Sequence, residues 1–197
     1  MSISSPHASG SAGRQLAWVE SMGGPLVVVP VSALARWGGC TMNGMVIGDT
    51  DTPDDYDRAC EVDGLAGVIA MSEGSMPGAL VLADQPAPSC YLPERRTFLR
   101  WSAAHSESDL LAAAEAVLAD PATEWEECGT WTTDGQAVLM DSAEAGADLG
   151  VEYPHGGGLP EQAPVPVPPG RWTVRAVHTR GDEHTWVGLV QLLPADA

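Results

Sequence analysis

The chain has no lysine. Its 9 basic residues are all arginine and face 27 acids, for a formal net charge of −18. Such a field repels nucleic acid and anionic lipid, which argues against both as partners. It would attract a basic protein and speed the encounter. Excess acid also serves solubility alone, so composition leaves a basic partner and a merely solvated surface both open. Phenylalanine occurs only once, yet 7 tryptophans and a hydrophobic content of 44% are too apolar for wholesale disorder. No apolar run approaches the ~20 residues that a membrane span needs. The opening MSISSPHASGSAGR lacks both a basic segment and an apolar one, so it does not read as a secretion signal, and a cytoplasmic location is expected. Its Ser, Gly and Ala content predicts a flexible tail over 1–14.

Chemical signatures are equally scarce. Cys40, Cys60, Cys90 and Cys128 form no CxxC pair, which argues against structural zinc, and in a cytosolic chain they read as small buried hydrophobes. The histidines, His7, His105, His155, His178 and His184, are scattered along the chain. There is no G-x-S-x-G nucleophile turn and no phosphate-binding loop; Gly156-Gly157-Gly158 runs into Leu159-Pro160 instead of a helix start. The stretch from Asp49 superficially suggests a calcium loop. Its sixth and twelfth places hold Asp54 and Cys60, where an EF-hand wants Gly and Glu, and Pro53 removes an amide. No cofactor, metal or catalytic residue is therefore expected. The alternative is an enzyme or small-ligand-binding module whose site is built from dispersed residues and leaves no motif.

What is present reads as an α+β domain: predominantly antiparallel β-sheet, one long helix at about 106–119, and short helices at about 31–37 and 53–62. The length suits a single domain over 15–197, or two intimate lobes meeting near 105–120. Leu26–Val29 has no polar alternation, which predicts a strand buried on both faces. The Gly23-Gly24 break before it suggests a hairpin with Leu16–Glu20. Thr52, Pro53 and Asp55 look like a helix start with Thr52 as N-cap, and Tyr56 and Cys60 would share the inward face. Ser106 with Asp109 opens the long helix, which Pro121 ends, with Leu110, Ala114, Val117 and Leu118 as its apolar stripe.

Strands are predicted at Ala66–Ser72 and Ala79–Ala83, joined by a Gly74–Gly78 loop, and at Ser89–Leu92 and Thr97–Trp101. Further strands fall at Trp125–Trp131 and Ala137–Asp141, with a terminal hairpin of Arg171–His178 and Thr185–Leu193. Pro160–Pro169 reads as a connector or an edge strand.

Acid density is the remaining feature. Asp49, Asp51, Asp54, Asp55, Asp57, Glu61 and Asp63 crowd fifteen positions, relieved only by Arg58, and Glu124, Glu126 and Glu127 sit beside Trp125 and Trp131. Carboxylates steer and aromatics anchor, so these ten acids are the candidate partner-binding residues. The two tryptophans share strand parity, so both could equally face the core.

The blocks WVESMGGPLVVVP, DDYDRACEVDGLAGVIA, ALVLADQPAPSCYLPERRTFLRW, VLMDSAEAGADL and PGRWTVRA, in that order, resemble immunity protein family twenty-one of bacterial polymorphic toxin systems, a family common in actinobacteria. The resemblance spans about Trp18 to Leu193, and Cys40–Gly48 departs from it. It implies a cytoplasmic, non-enzymatic protein that binds and blocks a co-encoded toxin. An acidic inhibitor of this kind would suit a toxin with a basic active-site groove.

Overall fold

Strand β1, Leu26–Pro30, is buried at all five positions because it runs between two partners and is covered on both faces. A computed structural model describes residues 15–41, 53–71, 78–83 and 85–195 of the chain. Around β1 lie β2 (Gly67–Ile69), β3 (Ala79–Leu82), β7 (Ala137–Asp141) and β8 (Gln162–Val165), in the order β2-β3-β1-β7-β8. A second sheet holds β4 (Ser89–Leu92), β5 (Thr97–Ala103), β6 (Glu126–Thr133), β9 (Gly170–Arg180) and β10 (Trp186–Pro194), in the order β4-β5-β10-β9-β6. All pairings between named strands are antiparallel.

The two sheets stack face to face, and strand alternation builds the core between them. Leu26, Val28, Leu80, Leu82 and Leu139 point inward from the first sheet. They meet Tyr91, Phe98, Trp131, Trp172, Val174 and Val190 from the second. The opposite parity of the first sheet (Val27, Val29, Val81 and Met140) is covered by the 3-10 turn Val31–Arg36, Trp37 and the short helix α1, Asp55–Cys60. The outer face of the second (Leu99, Val177, Val187 and Leu189) is covered by α2, Glu107–Ala119. Ser106 caps α2 by accepting from Asp109 N–H at 3.1 Å, and Leu110, Ala114 and Val117 are its buried stripe. The expected α+β fold, its long helix and its terminal hairpin are therefore present. Pro160–Pro169 contains the edge strand β8, where Pro164 suits an edge because it has no N–H to donate.

Several expectations need correction. Leu16–Glu20 is not the hairpin partner of β1. Val19 instead exchanges two 2.9 Å hydrogen bonds with Ser89 in the other sheet, while β1 pairs with β3 and β7. In the Ser21–Gly24 turn, Asp141 accepts Met22 N–H at 2.6 Å.

Helix α1 begins later than predicted, with Asp54 as N-cap in a reciprocal box with Asp57. Its buried residues are Asp55 and Ala59; Tyr56 and Cys60 are half-buried. Of the cysteines only Cys90 is buried, and Cys40, Cys60 and Cys128 are half-buried; all four are free. The tail 1–14, Thr52, most of Cys40–Gly48 and most of the Gly74–Gly78 loop lie outside the described residues.

Trp131 is fully buried, and its Nε1–H donates to Gly78 O at 2.9 Å, tying the second sheet to the start of β3. Trp131→Ala is expected to cost about 3–5 kcal/mol from cavity formation. Urea unfolding followed by far-UV circular dichroism would measure this, with one transition expected if 15–197 folds as a unit.

Candidate functional site

The acids around α1 divide by the hydrogen bonds they accept. Asp54 Oδ1 accepts Asp57 N–H at 2.8 Å, and Asp54 Oδ2 accepts Thr41 N–H at 2.8 Å and Thr41 Oγ1–H at 3.1 Å. Asp57 returns the favour by accepting Asp54 N–H at 3.2 Å. Burial pushes the Asp54 carboxyl upward, but the hydrogen bonds from Thr41, Asp57 and Tyr56 outweigh it and hold the group below the usual range. Asp55 is fully buried, accepting Gly38 N–H at 2.7 Å and pairing with Arg58. Asp54 and Asp55 fasten α1 to the Gly38–Thr41 segment, and Asp57 closes the cap with Asp54. Glu61 and Asp63 are exposed beyond the helix, and Asp49 and Asp51 lie outside the described residues.

The second acidic group rides on β6, an edge strand of the second sheet. The ladder between β6 and β9 slips between Glu127 and Thr130, where Gly129 takes φ +90. A bulge of this kind reverses strand parity, since one extra residue moves later side chains to the other face. Trp125 and Trp131 therefore do not share a face. Trp131 enters the core between the sheets, while Trp125 packs outside with α2, under the Arg175 guanidinium at 4.2 Å. Arg175 also donates to Gln191 Oε1 at 2.6 and 2.9 Å, although Glu127 is its partner in register. Glu124, Glu126 and Glu127 are exposed.

The two acidic groups meet. Gly64, with φ +103, turns the chain from Asp63 into β2 close to Glu126: a Cβ there would lie 2.8 Å from Glu126 Oε1. Asp63 and Glu126 are thus brought to one edge of the stack. No described arginine forms an ion pair with Glu61, Asp63, Glu124, Glu126 or Glu127.

Sequence reading missed a second acidic place. Glu20, Asp141, Glu144 and Glu161 line a pocket of about 310 Å3 with Tyr153, rimmed by the exposed Met22. Glu161 accepts Glu20 N–H at 2.8 Å, and Tyr153 Oη–H donates to Glu144. Burial, the bond to Glu144 and the charges of Glu144, Asp141 and Glu161 push the Tyr153 phenol up to about 12. Glu20 and Glu161 are 141 positions apart, so no local spacing could have joined them. Among the described residues no three His, Cys, Asp or Glu side chains are grouped to hold a metal ion. No helix among them is long and apolar enough to cross a membrane.

The molecule is thus an α+β protein whose two antiparallel sheets present carboxylates at one edge and in one pocket. The chain belongs to the Immunity protein 21 family, whose model matches residues 17–185. Comparison with curated proteins and with solved structures gave no match.

Because hydrogen bonding lowers the folded-state pKa of Asp54, its contribution is complete above the ordinary carboxylate value of 3.8 and is lost as pH falls through the lower folded-state value. Asp54→Ala is expected to cost about 1 kcal/mol at neutral pH, as for other N-caps. The deficit against wild type should shrink below pH 4, as thermal unfolding across that range would record.

Proposed function

We propose that this protein is the immunity partner of a co-encoded toxin, which it neutralises in the cytoplasm by binding rather than by catalysis. In this reading the edge where Asp63 meets Glu126 covers a basic groove on the toxin. The contact acids are Glu61, Asp63, Glu124, Glu126 and Glu127, joined by Asp49 and Asp51. Asp54, Asp55 and Asp57 act behind them by fastening α1.

The observation that carries this is the placement of the Asp63–Gly64 turn against Glu126, which puts two acidic runs side by side, with no described arginine ion-paired to Glu61, Asp63, Glu124, Glu126 or Glu127. Like charges held together raise the free energy of the unbound surface, and an incoming basic face relieves that repulsion. A negative field at an otherwise fixed scaffold also accelerates encounter, which suits an inhibitor that must reach its target before the target acts. Exposed Glu126 and Glu127 serve a second purpose on β6, since charge on an edge strand discourages pairing with another chain.

The test is co-expression with the product of the adjacent toxin-like reading frame, followed by association kinetics on the purified pair. Wild type should restore growth, and its association rate should fall about 10-fold or more between low and high salt. A Glu61→Gln, Asp63→Asn, Glu126→Gln, Glu127→Gln variant should lose most of that salt dependence. A rate indifferent to salt removes the electrostatic mechanism. Loss of salt dependence on changing Glu144 and Glu161 instead would move the docking surface to the pocket.

A further inference from the structure

The long hairpin of the second sheet outreaches the first sheet. β9 runs over 11 residues and β10 over 9, against 3 to 5 for the strands of the first sheet. At about 3.3 Å per residue the hairpin extends roughly twice as far as β1. The core between the sheets therefore stops partway along it. Val174 and Ala176 of β9, with Val190 and Leu192 of β10, belong to that core. By strand alternation His178, Arg180, Gly188 and Trp186 continue the same face, and none of them is part of the core. The connection Gln85–Ala87 and the end of β5 border this face. Together they frame an open cleft of about 550 Å3, walled by Trp101, Pro86, Ala103, His178 and Trp186.

Trp186 dominates the cleft. It is 40% exposed, with the His178 ring 5.5 Å away and the Arg180 guanidinium over it at 5.5 Å. An indole already held by its neighbours loses little freedom on binding, and tryptophan is prominent among the residues that carry binding energy in protein interfaces. Cleft and acidic edge adjoin. Glu126 of β6 stands opposite Ala176 in register, and His178 is the next residue of β9 on that face. Leu65, directly after the Asp63–Gly64 turn, lines a small cavity with His178 and Gln85. Glu124 lines another pocket with His178 and Arg180. His178 is thus common to the acidic surroundings and to the tryptophan cleft.

We propose that this cleft is the apolar centre of the partner-binding surface. It takes one apolar side chain, aromatic or long aliphatic, carried by a basic segment of the toxin. The inference rests on the reading that the acidic edge binds a basic protein, and it names where the apolar contact of that complex lies. Charge complementarity selects the occupant. A side chain seated on Trp186 brings its neighbours in the partner within reach of Glu124 and Glu126, where arginine or lysine is favoured. A second copy of this chain is opposed, because each copy carries a net charge of −18 and would set acid against acid. The two parts of the surface divide the kinetics: carboxylates govern the rate of encounter, and the desolvated apolar contact governs how long the pair lasts.

The test uses the full chain and the product of the adjacent toxin-like reading frame, with association and dissociation rates measured separately. Trp186→Ala should speed dissociation about 30-fold or more, while leaving the association rate and its salt dependence unchanged. Trp186→Phe should recover most of the lost affinity. In case Trp186→Ala does not fold, Ser102→Lys fills the mouth of the cleft from an exposed position and leaves Trp186 in place. It should weaken the complex to a similar degree. Sedimentation of the chain alone should give a monomer. A wild-type dissociation rate in Trp186→Ala, or in Ser102→Lys where the first does not fold, would overturn the cleft proposal and leave the immunity reading standing. A dimer that Trp186→Ala separates would overturn it in favour of a second copy. No complex with the toxin at any salt concentration would overturn both readings.

Discussion

Burial of β1 on both faces is the constraint from which the rest of the architecture follows. Leu26 and Val28 are sealed against the second sheet, while Val27 and Val29 are sealed beneath Trp37 and Ala59. A strand apolar on both sides cannot lie at a surface, so it requires a neighbour at each edge and a layer over each face. β3 and β7 supply the edges. The second sheet covers one face, and the 3-10 turn with α1 covers the other. The acids of α1 belong to this constraint: Asp55 accepts the Gly38 amide just after Trp37 and so fixes the cover to the strand.

This explains why acid density overstated the candidate site. Three carboxylates within four residues of sequence look like an exposed patch, yet Asp54, Asp55 and Asp57 are engaged with backbone amides and Arg58. Their local pattern did carry a message, which was a helix start. It was legible as such, displaced by two residues because Asp54 is the N-cap, in a reciprocal box with Asp57. The signal that separates structural from free acids is whether a turn or helix end lies within hydrogen-bonding reach, and that depends on the Gly38–Thr41 segment thirteen or more positions away.

Elements read from short-range pattern held well: β4 and β7 at their predicted bounds, α2 with its cap, and the terminal hairpin. Features set by long-range geometry were not legible. A single added residue at Gly129 sends Trp125 and Trp131 to opposite faces, and parity counted along the sequence cannot register a bulge. Pairing of β1 with β3 and β7 in place of Leu16–Glu20 is likewise a choice among partners. Strand composition does not decide it, because Val19 is as suited to Ser89 as to its nearer neighbours.

The same long-range placement builds the acidic edge. Gly64 does two things at once: its positive φ reverses the chain into β2, and its missing side chain admits Glu126. A Cβ at this position would strain the positive φ and displace the end of the Glu126 side chain. In the proposed reading, a partner meeting this edge approaches along the side of the stack where β2 and β6 are in contact. On that reading α1 and α2 remain the outer covers of the two sheets, and recognition falls to the strand edges and the loops that join them.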